Sequence, residues 1–309
     1  VRRGFSLRPA RNFLILRRTR LQSEAEGWRR NNVLPVNFVP KAVRRLWEVR
    51  HHCSFDNIYH CCVQKTASQW VRRILSDRKT VYRYSGLEAF HTESAMAGGV
   101  DMRRLDERTF DAPFAKRTIV TPLYLSLECM RGIPKPPRWK AFFVMRDPRD
   151  IIVSRYFSFK ISHRVIGNIG DLRERLAGMS EAEGLNFVID ELDRRGLFAA
   201  LRSWSRLPAA NDEAPVFRYE DLIGPAQLNH FQRLFEACDL RLPEAAARDV
   251  LERNSFAARS GGRAPGIEDV SSHLRKGVAG DWKNHFVPEV ERHFRQVTGT
   301  LIDELGYTW

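Results

Sequence analysis

The stretch Ile58-Tyr59-His60-Cys61-Cys62-Val63-Gln64-Lys65-Thr66-Ala67-Ser68-Gln69-Trp70 decides the fold. An apolar, strand-like run passes into a loop with one lysine and small hydroxyl residues, then into a helix opening at Ser68 or Gln69. Such a corner aims backbone N–H groups and the positive end of a helix at one point, which suits an anion such as phosphate or sulfate. The nucleoside-triphosphate loop G-x-x-x-x-G-K-[ST] has two glycines, and neither is present here. An ordinary strand-turn-helix corner has the same periodicity, so the reading depends on the rest of the chain.

Outward from this corner, short β-rich runs alternate with longer helical patterns, the signature of an α/β domain with a mostly parallel sheet. Strands are expected at Asn57 to Val63, Thr80 to Ser85, Thr118 to Thr121, Trp139 to Met145 and Ala214 to Tyr219. Helices are expected at Gln69 to Leu75, Pro148 to Ile161, Glu181 to Arg195, Gln227 to Cys238 and Pro243 to Arg253. Ligands of such sheets bind beyond the strand carboxyl ends. The turn-rich, basic stretches Ser260 to Gly266 and Lys276 to Gly280 read as surface loops.

Of the 309 residues, 43% are hydrophobic, enough for a buried core and too many for a disordered tail protein. The longest apolar runs, such as Phe13 to Leu16 and Ala141 to Met145, fall far short of a bilayer span. Five cysteines, an odd number, few for the length and two of them adjacent, argue against a disulfide framework and for a reducing cytoplasm. His51, His52, Cys53, His60, Cys61 and Cys62 are of metal-ligating types but lack a paired C-x2-C spacing, so no metal is expected. Residues 1–22 hold seven arginines and no acid. Their apolar run is too short for a signal core, and residues 1–54 read as a basic arm preceding one domain over 55–309.

Two further segments carry chemistry. In Phe142-Phe143-Val144-Met145-Arg146-Asp147-Pro148-Arg149-Asp150-Ile151-Ile152-Val153-Ser154 a buried strand meets a helix with proline in its first turn. Arg146 and Ser154 offer a guanidinium and a hydroxyl suited to phosphate. In Ser271-Ser272-His273-Leu274-Arg275-Lys276-Gly277-Val278-Ala279-Gly280-Asp281-Trp282-Lys283 two cations precede a glycine that lets backbone approach a ligand.

Together the three segments resemble the cytosolic-type sulfotransferase family, which uses 3'-phosphoadenosine 5'-phosphosulfate (PAPS). Lys65-Thr66-Ala67-Ser68-Gln69-Trp70 is similar to that family's Lys-Ser-Gly-Thr-Thr-Trp loop for the phosphosulfate. Arg146 and Ser154 stand at its spacing for the 3'-phosphate, and Arg275 to Lys283 keeps its Arg-Lys-Gly-x-x-Gly-Asp-Trp-Lys unchanged. Phe217 to Leu222 resembles its Tyr-Glu-Asp strand end, and Asn254-Ser255-Phe256 its adenine-contacting Thr-Ser-Phe.

The resemblance implies a three-layer fold like that of P-loop nucleotide-hydrolysing enzymes, with sulfuryl transfer from PAPS to a hydroxyl or amine, PAP as product and no metal. Lys65, Thr66, Ala67, Ser68, Gln69 and Trp70 would hold one end of the nucleotide, and Arg146, Ser154, Arg275, Lys276 and Gly277 the other. Trp70, Tyr219 and Phe256 would offer aromatic faces to adenine, and Lys65 would neutralise the leaving oxygen. The family's base histidine falls at Pro122, in Val120-Thr121-Pro122-Leu123-Tyr124, and proline takes no proton. Either the base comes from another element or the acceptor needs little base help; Glu88 and His91 are the replacements, Glu88 ranked first, with His163 a weaker candidate that could equally line the acceptor pocket. Ala67, in place of the family's glycine, is unstrained only at negative φ.

The acceptor, a small molecule, glycan or lipid headgroup with a free hydroxyl, would be met by Gly86 to Pro113 and Lys160 to Glu183. A nucleotide kinase is the nearest rival and lacks its triphosphate loop and metal carboxylate here. The net charge of +14 prompts a nucleic-acid-binding rival, for which no recognised module is present, so no nucleic acid is expected as partner.

Overall fold

The computed structural model describes residues 48–92, 103–165, 168–208, 211–212 and 214–309, so most of the expected arm lies outside the described residues. The strands are β1 (Asn57–Cys62), β2 (Glu88–Phe90), β3 (Thr118–Tyr124), β4 (Trp139–Met145) and β5 (Val216–Arg218). The helices are α1 (Ser68–Leu75), α2 (Leu127–Gly132), α3 (Pro148–Phe157), α4 (Ile169–Ala177), α5 (Glu181–Arg194), α6 (Leu197–Ser205), α7 (Tyr219–Ile223), α8 (Gln227–Ala237), α9 (Glu244–Arg253), α10 (Phe256–Arg259), α11 (Pro288–Thr298) and α12 (Leu301–Glu304).

The five strands form one parallel sheet in the order β2-β3-β1-β4-β5. All six residues of β1 are buried, as a central strand covered on both faces requires. Strand alternation sends Tyr59, Cys61, Ala141, Phe143 and Met145 into one core, shared with residues of α3, α5, α6 and α11. Ile58, Phe142 and Val144 enter a second core with residues of α1, α8 and α9. The expected helix-sheet-helix layering is thus the observed one.

Two boundaries differ from expectation. Thr80 to Ser85 is not a strand, despite its β-branched and aromatic residues. Asp77 Oδ1 accepts from the Thr80 N–H and hydroxyl at 3.0 and 2.9 Å, and bonds from Tyr84 to Thr80 and from Ser85 and Gly86 to Tyr82 wind the chain into a 3-10 turn. The sheet takes Glu88–Phe90 instead. The helix expected to run to Ile161 is α-helical only to Phe157, and Ser158–Ser162 continues as a π-turn.

Of the histidine and cysteine cluster, Cys53, His60, Cys61 and Cys62 are buried in the core, whereas His51 is half-buried and His52 exposed. His60 is fully buried, stacked on Phe142 at 5.0 Å between centroids, with Nδ1 2.7 Å from Thr121 Oγ1. All five cysteines are free thiols. Among the described residues no His/Cys/Asp/Glu group is arranged to hold a metal, and no helix is long and apolar enough to cross a membrane.

Candidate active site

The corner after β1 is built by backbone conformation. Lys65 and Ala67 both adopt left-handed φ, +69° and +59°, and Ala67 is the N-cap of α1. For Ala67 this is the strained case, costing about 1–2 kcal/mol where glycine would cost almost nothing. The Thr66 hydroxyl donates to Val63 O at 2.9 Å and so tightens the loop. The Tyr124 hydroxyl, at the end of β3, lies 2.8 Å from Ser68 Oγ and 3.3 Å from Gln69 Nε2. No acidic residue stands in the first turn of α1, leaving its positive end uncompensated there.

At the end of β4, Arg146 Nη1 donates to Lys65 O at 2.8 Å, joining the first two segments directly. Its guanidinium lies 4.4 Å from the Tyr219 ring centroid and 3.8 Å from Asp150 Oδ2. Its Nε is buried without a hydrogen-bond partner among the described residues. Ser154 follows two turns into α3, half-buried. Arg149 turns inward, bound to Asp147 and Thr308 O and stacked 3.7 Å from the Trp282 ring.

Asp150 ties the C-terminal segment to α3. Its two oxygens accept from Gly280 N at 2.7 Å and Trp282 N at 3.0 Å. Burial raises its pKa above the ordinary carboxylate value, against the pull of Arg146 and these two N–H groups. A Cβ on Gly277, at φ +70°, would lie 2.3 Å from the Phe256 ring, so only glycine lets this loop cross that ring. Arg275 pairs with Glu268 and Asp281 and stacks 4.4 Å from the Phe157 ring centroid, while Lys276 Nζ lies 2.6 Å from Asp281. Burial opposes ionisation of Asp281, but bonds from Lys276, Asn284 and Arg275 prevail and hold its carboxyl far below the usual range. A cavity of about 290 Å³ lies behind this brace. Asp147, Asp150 and Glu220 in its wall make it unsuited to an anion.

The segments converge electrically on Lys65. Burial first, then Arg155, Arg146 and Arg275, push its ammonium from 10.5 down to about 7. His273 is pushed down to about 4, by Lys65 first, then burial, His163 and Arg73. Burial lowers His163, with Arg155, Lys65 and Arg173 adding to it against the bond to the Arg164 carbonyl. Cations held this close in a folded chain mark a place prepared for negative charge.

Other expected residues sort differently. Trp70 Nε1 donates to Asn254 O at 2.8 Å, bringing its ring to the segment that carries Phe256, which is half-buried. Tyr219 is only 6% exposed and carries Arg146 on its ring, so it stacks on the arginine and is no open platform for a base. Glu88 is a correction: its place as base rested on a preceding strand that does not exist. In register it lies level with Thr118 and Asn57, at the amino edge of the sheet, roughly 17 Å of strand before Cys62. It is paired with Arg78 there at 2.5 Å. His91 follows β2, with Nδ1 2.9 Å from Arg72 Nη1 and Nε2 3.1 Å from Ser76 Oγ, so both ring nitrogens tie β2 to the last turn of α1.

Arg155 and His273 were not singled out as site residues. Arg155 adjoins Ser154 and His273 precedes Arg275 by two, but nothing local marks either until the sheet brings Lys65 alongside.

A parallel sheet that gathers cations from three distant segments around one lysine at its carboxyl edge is an anion-binding α/β fold. The chain belongs to the sulfotransferase-domain family, whose pattern it matches over residues 56–306. It is 29% identical to sulfotransferase 2B1 of Mus musculus over 168 residues, which are 51% of this chain and 46% of that one. It is 28% identical to sulfotransferase 2B1 of Rattus norvegicus over 187 residues, 56% and 51% of the two chains. The chain thus spans about half the length of the curated relatives it matches. Among solved structures it resembles retinol dehydratase in a complex with retinol and PAP, at 15% identity and TM-score 0.50, covering 86% of each chain. Mouse sulfotransferase SULT7A1 complexed with PAP is similar at 16% identity and TM-score 0.49, over 82% of this chain and 85% of that one.

Proposed function

We propose that the chain transfers a sulfuryl group from PAPS to the hydroxyl or amine of a small molecule, glycan or lipid headgroup, with residues 55–309 as the transferase domain behind a basic extension. The observation that carries this is the meeting of Lys65, Arg146 and Arg275 at one space, with the lysine forced down to about 7 by burial and its cationic neighbours. The buried Nε of Arg146, without a partner, fits an incoming phosphate oxygen.

When bound, the donor supplies a sulfuryl group joined to a phosphate leaving group. Arg146, Ser154, Arg275 and Lys276 hold the 3'-phosphate, and Gly277 keeps their loop against Phe256. The N–H groups of Thr66 to Gln69 hold the phosphosulfate end at the start of α1. Negative charge there raises the Lys65 pKa again, so the lysine is a full ammonium when charge develops on the leaving oxygen. Trp70 and Phe256 offer the rings for adenine. The free cysteines support a cytoplasmic setting.

Calorimetry with adenosine 3',5'-bisphosphate tests the reading, followed by an acceptor screen with radiolabelled donor. Micromolar or tighter binding without metal is expected. Binding that requires Mg2+, or none at millimolar nucleotide, overturns it.

A further inference from the structure

The site as built from the family pattern has no base, because that position is Pro122, and the structure removes Glu88 and occupies His91. We propose that His163, presented by the π-turn that ends α3, is the general base that takes the acceptor's proton. The proposal rests on the sulfuryl-transfer reading above.

Placement comes first. Helix α3 starts beside Arg146, carries Ser154 and Arg155, and continues through the π-turn Ser158–Ser162 to His163. π-Turns inside helices occur often where a side chain must be re-aimed at a functional site. Here Ser158 and Phe159 are buried, and His163 N donates to Ser158 O at 2.8 Å. Arg173 of α4 clamps the turn by donating to Phe159 O at 3.1 Å and His163 O at 2.6 Å. The main chain that carries the imidazole is therefore held on both sides, at its N–H by Ser158 O and at its carbonyl by the Arg173 guanidinium.

Its tautomer is fixed as well. His163 Nδ1 lies 2.9 Å from Arg164 O, and a carbonyl only accepts, so Nδ1 carries the proton and Nε2 the lone pair. The titratable and charged groups facing the ring come from four elements: the cations Arg155 on α3, Lys65 after β1 and Arg173 on α4, and the neutral His273 in the C-terminal loop. Burial first, and then these cations, keep the imidazole neutral, the form a base needs, but make it a weak one. A negatively charged nucleotide beside Lys65 reverses that field, so His163 gains basicity when the donor is in place.

In the transfer, the acceptor O–H proton passes to His163 Nε2 as the acceptor oxygen bonds to sulfur. The sulfur-to-phosphate-oxygen bond breaks, and its electron pair stays on the leaving oxygen beside Lys65. Charge and atoms balance without a further reactant.

The test uses His163→Asn, whose amide N–H can keep the Arg164 bond while offering no base. Phenol and 4-nitrophenol serve as acceptors at pH 8, where phenol is protonated and 4-nitrophenol is ionised. Bisphosphate binding should stay within threefold of wild type. Turnover with phenol should fall about 10²- to 10⁴-fold and lose its acidic limb, while turnover with 4-nitrophenol falls less than tenfold. By NMR, the His163 ring of the wild-type protein should titrate at higher pH once adenosine 3',5'-bisphosphate is bound, and this readout decides if neither phenol is accepted. Equal losses with both phenols, unchanged phenol turnover, or a titration that ignores the nucleotide would overturn the proposal. Failure of the wild type to bind the bisphosphate would instead overturn the reading beneath it.

Discussion

Replacing Lys65 by Met should make the ligand-free protein more stable while removing most of its turnover. The side chain keeps its length and apolar stem, and loses only the ammonium that burial, Arg155, Arg146 and Arg275 disfavour. Its pKa of about 7 in the fold lies below the ordinary 10.5, so between those values the unfolded chain holds a proton that the folded chain lacks. Stability from this group therefore rises as pH rises through 7 towards 10.5, and the full penalty applies below 7. At about 1.4 kcal/mol per tenfold, discounted because Lys65 is partly open to solvent, the penalty at pH 6 is about 2–4 kcal/mol. Urea denaturation at pH 6 and 9 in phosphate-free buffer measures it. Lys65→Met should be about 2–4 kcal/mol more stable at pH 6, and the wild type should recover about 1–3 kcal/mol of that gap by pH 9. Identical pH dependence in the two proteins would show that Lys65 is not charged against its neighbours, and the convergence argument would fail with it.

Gly277→Ala puts a methyl 2.3 Å from the Phe256 ring at positive φ, so bisphosphate affinity should fall at least tenfold by calorimetry as the loop moves away. Ala67→Gly should raise stability in urea by about 0.5–1 kcal/mol, the left-handed strain exceeding the glycine's extra unfolded freedom. Asp150→Asn leaves one of two backbone donors without an acceptor, and a thermal midpoint about 2–10 °C lower is expected by calorimetric scanning. Glu88→Gln should leave kcat and its pH profile unchanged, since Glu88 sits at the far edge of the sheet.

Four of the five strands, β1, β3, β4 and β5, were legible because each had its own signal. β1 and β4 read as continuous apolar runs, which two covered faces demand, and Pro148 marked the start of α3. Thr80 to Ser85 misled because its residue types favour strands. Asp77 overrode them by capturing Thr80, a local bond that composition does not reveal. That error carried Glu88 into the site, since its candidacy assumed a strand just before it. The anion-binding residues Lys65, Arg146 and Arg275 were legible as motifs, each a cation beside a strand end or glycine. Arg155 and His273 were not, and His163 stood only as a weaker candidate, because their roles arise from a lysine about 90 to 210 positions away in sequence and from where a π-turn aims the chain.

Arg275 and Lys276 begin their work already engaged with Glu268 and Asp281. Any visiting ion must out-compete those resident carboxylates, so chloride or a monovalent metabolite gains little by arriving. A dianionic ester has the charge density to trade places, which lets the loop select by valence before it selects by shape.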